Sequence, residues 1–101
     1  MSKYRNRKTE VDGFVFDSRR EANRYLELKI LERAGEIENL ELQPKYDLSV
    51  NGKHICSYIA DFRYQEGGRT IVEDAKGMRT DVYRIKRKLM KAVHDIEVVE
   101  V

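Results

Sequence analysis

The alternation of apolar and polar positions divides the chain into short strands and two helices. Residues 9–16 alternate around Asp12-Gly13, a pair that readily takes the positive dihedral angles of a tight turn, so a short hairpin is predicted to open the fold. Asp17-Ser18 then precedes a stretch of helix-forming residues that ends at Ala34-Gly35. Because glycine often closes a helix in a left-handed conformation, the first helix is predicted over residues 18–34.

The middle of the chain is predicted to form three antiparallel strands. Residues 42–50 are followed by Asn51-Gly52, a second hairpin pair, and residues 54–64 are rich in branched and aromatic side chains. After a turn at residues 66–68, the third strand is predicted over residues 70–76. The three strands form a central meander.

The last part of the chain is predicted to be a helix followed by a strand. Residues 96–101 show a strand pattern, and a helix over residues 81–94 is long enough for a crossover, so the last strand can pair parallel to an earlier one. The fold class is α/β (α+β), with a short N-terminal hairpin, an αβββαβ core and helices on both faces of a mixed sheet. The apolar face of the second helix is predicted to consist of Val82, Ile85, Leu89, Ala92 and Val93.

The composition predicts one cytoplasmic domain. The chain has 101 residues, of which 41% are hydrophobic, which is enough for one modest core, and a second domain is not expected. Its apolar runs are only a few residues long, so neither a membrane span nor a secretory signal is predicted. The single cysteine, Cys56, has no partner for an internal disulfide, which suits a reducing compartment.

Charge is unevenly distributed along the chain, although the net charge is only +2. The first eight residues carry four positive charges and no acid, so residues 1–8 are interpreted as a basic arm before a domain of residues 9–101. Residues 76–91 are also basic, with seven positive side chains against Asp81 alone. Separated basic segments around an acidic centre can attract phosphates and hold a divalent cation, whereas the alternative for each segment is an ordinary solvated surface.

The third predicted strand brings an acid and a lysine onto one face. Because strand side chains alternate, Asp74 and Lys76 project from the same side and Glu73 from the other. An ordinary ion pair explains a lone Asp-x-Lys pattern equally well. The Asp-x-Lys pattern therefore indicates a catalytic site only together with a second acidic residue close by.

That second element is Asp61, an acid inside the apolar stretch of residues 58–62. If the second and third strands pair through the glycine turn, Asp61 lies within one or two positions of direct opposition to Asp74. Opposed carboxylates destabilise a sheet, so a hard divalent cation bound through oxygen ligands is the natural compensation. The alternative is that one acid pairs with Lys76 or Arg63.

Two further residues have open interpretations. Glu21 completes a capping box with Ser18, but it also shares a helical stripe with Tyr25 and Leu28, and a role as metal or water ligand is preferred. Lys86 lies on the apolar stripe of the second helix and either extends to solvent or reaches a scissile phosphate. The candidate nucleic-acid-binding residues are Lys86, Arg84, Arg87, Lys88, Arg79, Arg5, Arg7 and Lys8.

Together these residues resemble the PD-(D/E)XK nuclease superfamily, whose core is αβββαβ. Its members have an aspartate on the second strand, an acid-x-lysine on the third and often a glutamate on the first helix. The resemblance covers roughly residues 14–101, and segments 16–22, 42–44 and 72–77 look like small phage-encoded members and like the transposase-endonuclease and junction-resolvase branches. Ala60 stands where many members have proline. The resemblance implies that the catalytic residues are Asp61, Asp74, Lys76 and Glu21.

The resemblance further implies a metal-dependent endodeoxyribonuclease that hydrolyses phosphodiester bonds in phage or mobile-element recombination, repair or processing. Mg²⁺, with Mn²⁺ able to substitute, would be held by Asp61, Asp74, Glu21 and the carbonyl of Ala75, and Lys76 would orient or help deprotonate the attacking water. DNA is the expected partner, a homodimer is plausible, and no organic cofactor is expected. The alternative is a DNA-binding module or complex subunit that keeps this scaffold without cleaving.

Overall fold

The computed structural model describes residues 8–75 and 79–101, whose helices and strands form an α+β fold. Two helices flank a mixed sheet, and a short hairpin precedes the first helix. In chain order the elements are β1 (Thr9–Val11), β2 (Phe14–Phe16), α1 (Arg19–Arg33), β3 (Glu38–Leu42), β4 (Lys45–Val50), β5 (Lys53–Ile59), β6 (Phe62–Glu66), β7 (Arg69–Asp74), α2 (Asp81–His94) and β8 (Val99–Glu100).

The N-terminal hairpin and α1 confirm the sequence prediction. Strands β1 and β2 pair antiparallel around Asp12-Gly13, both of which have positive φ angles. Ser18 caps α1, since its hydroxyl accepts a hydrogen bond from the backbone N–H of Glu21 at 3.1 Å. Gly35 follows the helix with a φ of 79°, as expected for a left-handed helix end.

The prediction of two uninterrupted strands over residues 42–50 and 54–64 is wrong. The first breaks at Gln43-Pro44, between β3 and β4, and the second breaks at Ala60-Asp61, between β5 and β6. Pro44 cannot donate to a strand ladder, and Gln43 has a φ of 52°, so the chain bends there. The bend separates β4 and β5 from the main sheet as a two-stranded ribbon.

The main sheet has the strand order β3-β6-β7-β8. Its first three strands are antiparallel, and β8 pairs parallel to β7, which confirms the expected crossover through α2. Strand β8 spans only Val99–Glu100 rather than the predicted residues 96–101. Strand β7 ends at Asp74, and the predicted end of this strand at Lys76 lies outside the described residues.

Two hydrophobic clusters cover opposite faces of the sheet. Phe62 and Tyr64 of β6 pack with residues of α1, whereas Val72 of β7 packs with residues of α2 and the ribbon. Helices therefore lie on both faces, as predicted. The α1 cluster also contains Phe16, Ala22, Tyr25, Leu28 and Ile37, and the α2 cluster also contains Leu48, Tyr58, Ala60, Tyr83, Met90 and Val98.

The predicted apolar face of α2 is wrong in part. Val82 and Ile85 are exposed to 62% and 58%, whereas the fully buried side chains are Tyr83 and Met90. These two large residues lie seven positions apart on one stripe and fill the contact with the α2 cluster, so the flank with Val82 and Ile85 faces solvent. Leu89 and Val93 are half-buried, and Ala92 is exposed. Over the two described ranges, no helix has the length and apolar character needed to cross a lipid bilayer.

Candidate active site

Asp61 and Asp74 meet where β6 begins and β7 ends. Phe62 is the register partner of Glu73, and the backbone N–H of Asp61 donates to the carbonyl of Glu73 at 3.1 Å. Asp61 and Asp74 flank this last register pair on the same side, and their side chains are hydrogen-bonded to each other. The expected opposition of the two aspartates is therefore confirmed.

The two breaks at Gln43-Pro44 and Ala60-Asp61 lie next to each other, beside Asp74. The N–H of Gln43 donates to the carbonyl of Asp61 at 2.9 Å, and the N–H of Ala60 donates to the carbonyl of Pro44 at 3.1 Å. The bend on β3–β4 and the bend on β5–β6 thus face each other. Asp61 consequently lies in a bend between two strands rather than inside a strand, which frees its side chain from the regular alternation.

The carboxyl of Asp61 is held among other acids. Burial, together with the negative charges of Asp74 and Glu21, raises the pKa of Asp61 to about 8. The N–H of Ala75 donates to Asp61 Oδ2 at 2.7 Å and acts in the opposite direction. At neutral pH, without a cation, this raised pKa favours the protonated form of the Asp61 carboxyl.

Asp74 is completely buried and accepts a hydrogen bond from the hydroxyl of Tyr58. Burial and the neighbouring Asp74 carboxylate raise the pKa of Tyr58, so this hydroxyl keeps its hydrogen at any physiological pH. Tyr58 belongs to β5 and therefore connects the ribbon to the end of β7. Sequence reasoning did not select Tyr58, although it lies in the same apolar stretch as Asp61.

Glu21 reaches this site from the first turn of α1. Its side chain is only 6% exposed, and its charge acts on the carboxyl of Asp61. Ser18 caps the helix through the backbone N–H of Glu21 and not through its carboxylate. Glu21, Asp61 and Gln43 line one cavity of about 240 Å³, together with Phe14, Val15, Phe16 and Leu42. Gln43 was not selected from the sequence, although its place before the only proline is a usable signal.

Glu73 lies on the opposite face from Asp74, as the strand alternation predicts. Its buried carboxylate accepts two hydrogen bonds from Arg24, from Nε at 2.7 Å and from Nη2 at 2.6 Å, and a third from the hydroxyl of Tyr64. Arg24 follows Glu21 by three residues on α1, so this ion pair fixes α1 against β7 close to the acidic site. Arg24 was also missed, because a partner 49 residues away leaves no local signal.

The metal-binding capacity of the site rests on two opposed carboxylates. Within residues 8–75 and 79–101, no group of three His, Cys, Asp or Glu side chains is gathered closely enough to hold a metal ion. Carboxylate oxygens are the hard donors that Mg²⁺ prefers, so Asp61 and Asp74 are the residues that could hold such a cation, and Glu21 adds negative charge beside Asp61. Ala75 contacts the site through its N–H. Lys76, Arg5 and Arg7, which were selected from the sequence, lie outside the described residues.

Four of the predicted nucleic-acid-binding residues lie together in one basic groove of about 430 Å³. The groove lies beside the acidic site. Glu100 connects the two, because it is the register partner of Asp74 on β8 and forms ion pairs with Arg79 and, at 3.6 Å, with Arg87. The groove is lined by Arg79, Arg84, Arg87, Lys88, Lys91 and Glu97.

Arg87, Lys86 and Lys8 lie in three different surroundings. Arg87 is half-buried and donates a hydrogen bond to the carbonyl of Val98 at 3.2 Å, so it lies at the inner wall of the groove rather than fully in solvent. Lys86 is half-buried on the other flank of α2, beside Tyr83. Lys8 lies 3.7 Å from Asp17 near the hairpin and does not line the groove.

Comparison with known proteins places the chain in a family without giving it an activity. A search of curated proteins found no match. One family model matches residues 1–99, nearly the whole chain. This chain is therefore a member of the family described as "Protein of unknown function (DUF1064)".

Proposed function

We propose that this chain is a metal-dependent endodeoxyribonuclease of the PD-(D/E)XK type. The observation that carries the proposal is the opposition of Asp61 and Asp74, with the pKa of Asp61 raised to about 8. Such a pair destabilises a sheet and is costly to ionise, so its presence needs a compensating role. Binding a divalent cation, and through it a phosphate group, explains both the closeness of the two carboxylates and the raised pKa of Asp61.

The order of the elements gives independent support. Helix α1, strands β3, β6 and β7, helix α2 and strand β8 have the order of the αβββαβ core of that superfamily, with the β4–β5 ribbon inserted between β3 and β6. The acids lie close to the expected strands, with Asp61 in the bend just before β6, Asp74 at the end of β7 and Glu21 on α1. This agreement favours a restriction-endonuclease-like core over an unrelated α+β arrangement.

In this proposal Asp61 and Asp74 hold the cation, and Glu21 adds negative charge on the side of α1. The chemistry supplied by bound Mg²⁺, or by Mn²⁺ in its place, is a water of lowered pKa and neutralisation of charge on the phosphate. Tyr58 keeps the carboxylate of Asp74 in one orientation. Lys76, two residues after Asp74, is proposed to orient the attacking water.

The basic groove supports DNA as the substrate. Arg84, Lys88 and Lys91 are exposed. Arg84 pairs with Asp81 at 3.7 Å and Lys91 pairs with Asp95 at 2.9 Å, and such exposed pairs are weak. These side chains are therefore free to exchange such contacts for phosphates. A homodimer would present two sites to the two strands of DNA from phage or mobile-element recombination, repair or processing.

A second candidate function is a DNA-binding module that does not cleave. It is favoured by one observation, that the described residues contain no ready-made group of three metal ligands. This candidate predicts salt-sensitive DNA binding through the basic groove and no dependence on a divalent cation.

A cleavage assay separates the two candidates. Labelled four-way junction, flap, single-stranded and duplex DNA are incubated with Mg²⁺, Mn²⁺ or EDTA, using the wild-type chain and Asp74→Asn purified in parallel. The nuclease proposal expects metal-dependent cutting that Asp74→Asn lacks while its thermal unfolding remains cooperative. Equal cutting by both chains, or binding without cutting in every metal, contradicts it.

A further inference from the structure

A second cavity of about 420 Å³ lies between the end of β5 and the start of α2. It is separate from the basic groove, since the two share no lining residue. Its wall includes Tyr58, whose hydroxyl donates to Asp74, so the cavity adjoins the candidate active site. The lining residues are Lys45, Ser57, Tyr58, Ile59, Thr80, Val82, Tyr83 and Lys86.

The cavity combines apolar and cationic side chains. Ile59 and Val82 contribute large apolar surfaces that are exposed to 56% and 62%, one from the ribbon and one from α2. Lys45 and Lys86 supply positive charge, and no carboxylate is among the described lining residues. Apolar walls next to lysines fit a ligand with a flat apolar body and a negative group, which is the chemistry of a nucleotide.

We propose that this cavity holds an unpaired nucleotide of the DNA substrate, close to the phosphate that is cleaved. The base lies between Ile59 and Val82, and Lys45 and Lys86 contact the adjoining phosphates. The inference rests on the proposed function, because its substrate is the DNA that reaches Asp61 and Asp74.

The cavity then determines the class of DNA. A base within a duplex is stacked and paired, and it enters such a cavity only at the cost of unstacking and unpairing. DNA that already has unpaired nucleotides, such as a bulge, a flap or a junction, does not incur this cost. The chain is therefore expected to prefer such DNA over fully paired duplex.

Two matched double variants test the inference. Ile59→Ala/Val82→Ala removes the apolar walls of the cavity. Ile55→Ala/Ile85→Ala is the control, because these side chains are exposed to 56% and 58% on the same strand and the same helix but do not line the cavity. Binding is measured by fluorescence anisotropy in EDTA and in Ca²⁺, with paired duplex, a duplex with three unpaired nucleotides, and the same bulge with abasic sites.

We expect the wild-type chain and the control to bind the bulge with bases roughly tenfold more tightly than the abasic bulge. We expect Ile59→Ala/Val82→Ala to bind both bulges alike, because the surface that distinguishes them is gone. A general loss of folding would weaken binding to all three DNAs, so the base-dependent difference is specific to the cavity.

The inference is overturned if the wild-type chain binds the two bulges equally. It is also overturned if Ile59→Ala/Val82→Ala keeps the base-dependent difference. A changed solution mass of that variant would then identify the cavity as a subunit interface. Base-dependent binding without cutting in any metal supports the inference and removes the proposed nuclease activity. Metal-dependent cutting without base-dependent binding supports the nuclease activity and rules out the nucleotide cavity. Each claim can therefore fail without the other.

Discussion

The hydroxyl of Tyr58 donates a hydrogen bond to the buried carboxylate of Asp74, which joins the ribbon to the acidic end of β7. Tyr58→Phe deletes the donor and leaves a buried carboxylate with one hydrogen bond fewer. We expect a loss of about 1.5–3 kcal/mol in the free energy of unfolding, since the acceptor is charged. We also expect DNA cleavage to slow, because the Asp74 carboxylate is less firmly oriented.

Tyr46→Phe is the matched control for this prediction. Tyr46 is the register partner of Tyr58 on β4, and its hydroxyl accepts a hydrogen bond from Arg63 at 2.9 Å, away from Asp74. Urea unfolding and initial cleavage rates of the two variants are compared. A cleavage rate that falls equally in both variants, or in neither, contradicts the role assigned to Tyr58.

The ion pair of Arg24 and Glu73 is expected to be important for stability. Arg24→Leu leaves the carboxylate of Glu73, which is 1% exposed, without its charged partner. We expect a loss of about 3 kcal/mol, the low end for a buried pair, because Arg24 itself is partly exposed. Lys91→Ala breaks the exposed pair with Asp95 and is expected to change the free energy of unfolding far less, because water already screens this pair. Similar unfolding free energies for the two variants would refute this ranking.

The pKa of Asp61 predicts how stability depends on pH. Its pKa lies near 3.8 in the unfolded chain and about 8 in the folded chain, so the folded state binds the proton more tightly. The stability from this group is therefore fully present below about pH 4 and is lost as the pH rises towards 8. In EDTA we expect the unfolding free energy of the wild-type chain to fall between pH 5 and pH 8 more steeply than that of Asp61→Asn. Parallel pH profiles in urea unfolding would show that Asp61 does not carry this shift.

The basic groove predicts the salt dependence of DNA binding. Arg84→Gln and Lys88→Gln each remove one exposed cation from the groove, so each is expected to weaken binding for all sequences and to reduce the salt slope by about 1. Arg33→Gln removes a cation from the last turn of α1, outside the groove, and serves as the control. Anisotropy titrations at several salt concentrations measure the slopes. If the control lowers the slope as much as the groove variants, DNA does not follow the groove.

Local sequence signals predicted the elements that depend on local chemistry. Asp12-Gly13 predicted the hairpin, Ser18 and Gly35 predicted the two ends of α1, and residues 81–94 match α2. The opposition of Asp61 and Asp74 also followed from the sequence, because a tight glycine turn sets the register of β6 and β7.

The features that could not be predicted from the sequence depend on packing between distant parts of the chain. The separation of the ribbon from the main sheet depends on two bends, at Pro44 and at Asp61, that face each other across the hairpin. The buried face of α2 is set by the fit of Tyr83 and Met90 against that ribbon and the sheet, which periodicity alone did not identify. Arg24 and Glu73 are separated by 49 positions, and only the folded chain brings them together.

The central claim is that Asp61 and Asp74 act together in cation-dependent hydrolysis of DNA. The most direct test is the single-turnover cleavage rate in Mn²⁺ of the wild-type chain, Asp61→Asn, Asp74→Asn and the double variant. Residues that act as a unit give losses that do not add, so we expect each single variant to lose roughly a thousandfold and the double variant to be little worse. Single variants that cleave within about tenfold of the wild-type rate, or a wild-type rate that is the same in EDTA, would contradict the claim.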